Sequence, residues 1–124
     1  MLRLLCLAYL ELLRLEPALL RQNFARIHDA VRRTTTASVA RGSEIEPRIV
    51  RAVDLACVFY PKEVLCLQRS AAATCLLRKQ GIPAELAIGV ESLPFRAHAW
   101  VEVGGEIVND KPSVAQIYTV LARF

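Results

Sequence analysis

Three residues, in chain order, carry the chemistry of this sequence: Cys66, His98 and Asp110. Cys66 lies in Leu65-Cys66-Leu67-Gln68-Arg69-Ser70, where a helix is expected to begin shortly after Pro61. His98 lies in Ala97-His98-Ala99-Trp100-Val101-Glu102-Val103, which alternates like a strand. Asp110 closes Val108-Asn109-Asp110, at the end of the next strand. A thiol at a helix start, a base on a strand and an acid to orient it are the parts of a cysteine nucleophile site. The reactive form is the thiolate, which a helix N-terminus and a nearby imidazolium favour. The backbone N–H of Cys66 is also a candidate oxyanion donor.

The competing residues have plainer readings. The sequence has two histidines, and His28, beside Asp29 on an early helix, reads as a surface residue. Cys6, Cys57 and Cys75 read as inert, buried thiols. Tyr60, Gln68 and Trp100 are the side chains on offer as a second oxyanion or substrate donor, with Tyr60 the favourite because it precedes Cys66. Trp100 shares a strand face with His98 and is placed to shield the His–Cys contact from water. Arg69 and Ser70 read either as loop-orienting groups or as a solvated Arg and a packed Ser.

The elements that must position these residues follow from periodicity. Residues 3–15 read as a short helix, and Pro17 suits the first turn of a second one reaching about Arg33. Residues 34–43 read as a mobile linker, with Ser43 and Glu46 as a capping box for a third helix that ends at Pro61. Leu65 to Gln80 is a fourth helix, slim and strong through Ala71, Ala72 and Ala73, with Gly81 and Pro83 stopping it. The period then changes to two, giving strands over 85–90, 97–103 and 106–109, with Gly104-Gly105 as the last turn. Residues 114–123 read as a terminal helix. The fold class expected is α+β: one domain over residues 1–124, helical to residue 80, a small antiparallel sheet over 83–110 and a closing helix.

The hairpin sets a geometric condition. A two-residue Gly104-Gly105 loop pairs Val103 with Glu106. Strict alternation then turns Asp110 away from His98 and puts Asn109 on its face. The expectation is therefore an odd loop or a bulge, which glycine suits, with Asn109 the rival orienting residue.

Composition bounds the partners. The chain has 124 residues, is 54% hydrophobic and carries a formal charge of +4, with a mean hydropathy of +0.33. Residues 1–51 hold nine Arg against five acidic residues, and residues 52–124 hold seven basic and seven acidic ones. The basic excess thus lies in the N-terminal part and reads as a solvated helix face. No nucleic-acid reader motif accompanies it. Glu11, Arg14 and Glu16 interrupt the leucine-rich start, so no run reaches the roughly 20 apolar residues of a membrane span. Signal-peptide character is missing too, and a cytoplasmic location is expected. Cys66 and Cys75 lie nine positions apart on one helix, about 13.5 Å at 1.5 Å per residue. That exceeds the roughly 7 Å a disulfide allows. No zinc spacing exists either, so neither a metal nor a cofactor is expected.

Cys66-Leu67-Gln68-Arg69-Ser70, then Leu77 through Val90, then Pro94-Phe95-Arg96-Ala97-His98-Ala99-Trp100-Val101-Glu102, then Val108-Asn109-Asp110, resemble the transglutaminase-like leader peptidases of lasso-peptide biosynthesis. The likeness covers about half of the chain. It implies a transglutaminase-like, papain-like cysteine protease core that removes the leader from a ribosomally made precursor, before a separate cyclase closes the ring. It implies Cys66 as nucleophile, His98 as base and Asp110 as the acid. Residues 1–50 do not alternate like the small sheet of a fused leader-recognition domain. The resemblance therefore implies a standalone form served by a separate leader-recognition protein, with the cyclase a further candidate partner. A catalytically silent adaptor of the same fold is the alternative.

Overall fold

An alanine-rich helix forms the centre of the molecule. The computed structural model describes residues 1–38 and 44–124. In it α4 (Cys66–Lys79) buries Ala71, Ala72, Ala73, Cys75, Leu76 and Leu77. Its small side chains let the neighbouring backbones come close. Packed around it are α1 (Leu2–Leu20), α2 (Phe24–Arg33) and α3 (Ile45–Phe59), and on another side a sheet. That sheet comprises β1 (Ala84–Ser92), β2 (Phe95–Val103), β3 (Glu106–Ile107) and, after a one-turn helix α5 (Val114–Ile117), β4 (Thr119–Arg123). The order is β3-β2-β1-β4, and every pairing is antiparallel. The α+β architecture expected from the periodicities is present.

Alternation along β2 divides the interior in two. Ala99 and Val101 face the helices and join the main core with Leu12, Leu15, Ile27 and Ile49. Trp100 points the other way and forms a small second cluster with Ala87 and Val114, against which Ile107, Tyr118 and Val120 pack. Gly89 sits under this cluster, and a Cβ there would stand 2.6 Å from the Trp100 ring and 2.9 Å from Tyr118 Cβ. Gly89→Ala should therefore overpack the site and lower unfolding stability by about 1–3 kcal/mol in urea titration.

Several boundaries differ from expectation. The two helices expected up to Arg33 are present, but α1 runs from Leu2 to Leu20 straight through Pro17, so the break between them falls at residues 21–23 rather than before Pro17. Proline lacks one N–H, but Leu15 and Ala18 on either side of it are buried, and their packing outweighs the lost bond. The terminal helix over 114–123 is not formed. Only Val114–Ile117 is helical, and Thr119–Arg123 pairs with the free edge of β1. The third strand ends at Ile107 rather than Asn109. The Ser43–Glu46 capping box and residues 39–43 of the linker lie outside the described residues.

Arg78 ties this periphery together. Its guanidinium donates to the carbonyls of Ala84 at 2.8 Å, Val31 at 2.6 Å, Thr34 at 3.2 Å and Phe124 at 2.6 Å. The end of α2, the segment after it, the start of β1 and the end of β4 thus share one planar fork of donors.

Candidate active site

Cys66 is the first residue of α4, directly after Leu65 at the N-cap. Leucine cannot cap, and no side-chain bond closes this helix start. The first N–H groups of α4 therefore lack a capping acceptor beside the thiol. Cys66 is half-buried. It lines a cavity of about 300 Å³ whose wall also holds His98. Among the described residues no hydrogen bond joins the two; they meet across that cavity.

His98 and Asp110 are in direct contact, with Nε2 2.6 Å from Oδ2. The Lys111 N–H donates to the other Asp110 oxygen at 2.8 Å. Arg69, one helical turn along α4 from Cys66, comes within 3.9 Å of Asp110 and bonds Asp54 of α3 at 3.2 Å. Burial pushes the Asp110 carboxyl up. The bonds from His98 and the Lys111 N–H, with the Arg69 charge, outweigh that and hold it below its ordinary value.

The route by which Asp110 reaches His98 corrects the expected hairpin. Gly104 and Gly105 form a plain two-residue turn, with φ of +59° and +82° and Val103 opposite Glu106. No odd loop is needed, because the chain leaves the ladder early. After Val108 donates to the Val101 carbonyl at 3.0 Å, the Asn109 side chain replaces the backbone. Its Oδ1 accepts from the Val101 N–H at 2.8 Å, and its Nδ2 donates to Ser70 Oγ at 3.0 Å. Ser70 in turn donates to the Ala99 carbonyl at 3.0 Å. Asn109 thus acts as a buried peg joining α4, β2 and the strand end, and Asp110 is freed from alternation. Of the two readings offered for Ser70, the packed one holds, in the form of a bonded link.

The three expected donors are engaged elsewhere. Tyr60 donates its hydroxyl to Glu16 at 2.6 Å. Burial and the Glu16 charge push that phenol up to about 12. Gln68 is 2% exposed and donates to the Leu12 carbonyl at 3.0 Å. Trp100 is fully buried and donates Nε1 to Glu102 at 2.9 Å. None of them is presented to a substrate. Trp100 backs His98, with ring centroids 6.0 Å apart, rather than roofing the thiol. Tyr118 lies closer, stacked on the imidazole at 5.3 Å. Sequence reasoning missed it because it was assigned to a helix; the β-branched Thr119-Val120 beside it was the available signal.

The other thiols and His28 are also clarified. Cys75 is buried, and burial raises its thiol. Burial pushes Cys57 up to about 11. Cys6 is exposed, not buried, because it lies on the outer side of α1. His28 is half-buried in the wall of the Cys66 cavity, not on the open surface, and its ring stacks on Phe124 at 4.4 Å. Among the described residues no group of three or more His, Cys, Asp or Glu is placed to hold a metal ion. Likewise no helix among them is long and apolar enough to cross a membrane.

A helix-start cysteine that shares a cavity wall with a strand histidine, itself held by an acid after the next strand, is an arrangement open to thiol acyl chemistry. The sequence profile of the transglutaminase-like superfamily matches residues 8–123, and the chain belongs to that superfamily. A 58-residue stretch, 47% of the chain, is 44% identical to the microcin J25-processing protein McjB of Escherichia coli. The match spans 28% of that relative's length. No solved structure matches the chain.

Proposed function

We propose that this chain is a cysteine endopeptidase that cuts the leader from a ribosomally made lasso-peptide precursor in the cytoplasm. The observation that carries the reading is the 2.6 Å His98–Asp110 contact on a histidine that shares one cavity with Cys66. The likeness to a microcin J25-processing protein supports the substrate class.

In this reading Cys66 is the nucleophile, His98 the base and Asp110 its orienting acid. An ionised carboxylate only accepts, so Nε2 of His98 carries the proton and Nδ1 is left to take the thiol proton. The thiolate adds to the scissile carbonyl, and the oxyanion meets the uncapped N–H groups of α4, that of Cys66 first. His98 then gives its proton to the leaving amine, which departs as the free N-terminus of the core peptide. Water, deprotonated by His98, hydrolyses the thioester and returns the thiol. The thiol and imidazole close to bonding distance as the peptide seats. The test is mass spectrometry of a precursor peptide incubated with the purified chain. A single cut that releases leader and core supports the reading; an intact precursor, with a leader-binding protein also present, overturns it in favour of an adaptor role.

The same reading assigns leader recognition to a separate protein, with the cyclase acting next. What supports a docking partner is α1, which leaves Leu2, Leu10, Leu13 and Leu20 exposed. Calorimetry should give leader binding by this chain at least about tenfold weaker than in the presence of that partner. Tight binding by the chain alone would refute the assignment.

A further inference from the structure

The cavity beside Cys66 has a composition of its own. Its wall is built from Phe24 and His28 of α2, Leu67 of α4, Ile88 of β1, and Ala97 and Ala99 of β2. None of these is a carboxylate, a lysine or an arginine. His28 is its polar member besides His98, and its surroundings disfavour the charged form. Its ring stacks on Phe124 at an interplanar angle of 22°, and the Arg32 guanidinium stands 5.1 Å from that same Phe124 ring. Burial, then the Arg32 charge, lowers the His28 pKa. A charged side chain entering here loses its water and, beyond the Cys66–His98 pair at one end, meets no counter-charge.

Size narrows the occupant further. About 300 Å³ lies at the low end of ligand pockets, enough for one side chain and not for a stretch of peptide. The nucleophile itself forms part of the wall, so the occupant belongs to the chain being cut. From this we infer that the cavity is a specificity pocket, taking one uncharged apolar side chain of the substrate peptide beside the scissile bond. The inference rests on Cys66 as nucleophile.

Small electrophiles separate the two ideas. In a chloroacetamide reaction the thiolate forms a C–S bond, chloride leaves with the electron pair, and the thiol proton passes to buffer. The full chain carrying Cys6→Ser is treated with chloroacetamide, N-isobutylchloroacetamide or iodoacetate. Cys66 modification is followed by peptide mass mapping, and each rate is normalised to that of N-acetylcysteine. The isobutyl reagent should gain about tenfold over chloroacetamide, and iodoacetate, which meets only the His98 cation there, should show no such gain. Ala97→Phe, at an exposed strand position on the rim, should bring the isobutyl gain towards that of the free thiol. Phe24→Ala, which removes a half-exposed wall, should reduce it as well. Equal normalised rates for the three reagents overturn the pocket and leave the nucleophile standing, as does a gain that survives both substitutions. If no reagent modifies Cys66 ahead of Cys57 and Cys75, the nucleophile and the pocket fall together.

Discussion

Cys66→Ala should abolish precursor cleavage and leave the fold intact. The expected loss in kcat is on the order of 10⁵- to 10⁶-fold, the scale at which removing a catalytic nucleophile leaves only binding and oxyanion contacts. The thiol is only half-buried and makes no hydrogen bond among the described residues, so its removal leaves no buried polar partner unsatisfied. Circular dichroism and the urea midpoint should therefore match the parent. Cys57→Ala and Cys75→Ala give the contrast. Their thiols are pushed up by burial, Cys57 to about 11, and neither lines the cavity. Both variants should keep turnover, with Cys75→Ala the less stable because its side chain is fully buried. Retained turnover in folded Cys66→Ala protein would falsify the assignment of the nucleophile.

Asp110→Asn should cost about 10⁴-fold in kcat with a near-normal KM, because an amide no longer fixes which ring nitrogen of His98 carries the proton. It also removes the partner of the imidazolium that forms during turnover. Asn109→Ala should behave differently. It strips the acceptor from the buried Val101 N–H and a donor from Ser70, so unfolding stability should drop by about 1–3 kcal/mol. Kinetics and urea unfolding measured on both variants separate the roles. If Asp110→Asn stays within tenfold of the parent while folded Asn109→Ala is inactive, the orienting residue is Asn109.

How much of this was legible depended on where local and tertiary forces agree. Helices α3 and α4 and strands β1 and β2 follow their own hydrophobic periods, and the structure keeps them within a few residues. Pro17 misled because its local signal marks a helix start, whereas Leu15 and Ala18 need the same helix to continue for burial. The chain end misled for the opposite reason. Residues 114–123 carry mixed local signals, helical at first and β-branched at Thr119-Val120, and the unpaired edge of β1 decided it, through the mutual Leu86–Phe124 backbone bonds among others.

The site shows the same division. Cys66, His98 and Asp110 could be picked out by type and order, and the contact between the last two is present. The means of bringing them together could not, since a side chain standing in for a strand backbone leaves no periodic mark. Nor could the loss of Tyr60, Gln68 and Trp100 as donors. Each is taken by a partner distant in sequence or by the burial of its own ring: Glu16, Leu12 and Glu102 respectively.

The two hydrophobic clusters have a consequence for how such a molecule changes over time. Cys66 packs against the large helical cluster, while the ring of His98 leans on Tyr118 and Trp100 of the small one. The thiol and the imidazole thus rest on clusters at opposite faces of the sheet, linked through the backbones of β1 and β2 and through the Ser70–Asn109 bond. Substitutions at Ile107, Val114 or Val120 should reach the imidazole before the thiol. Substitutions in α1 or α3 do the reverse. The relative placement of thiol and imidazole can therefore be adjusted from either face of the sheet.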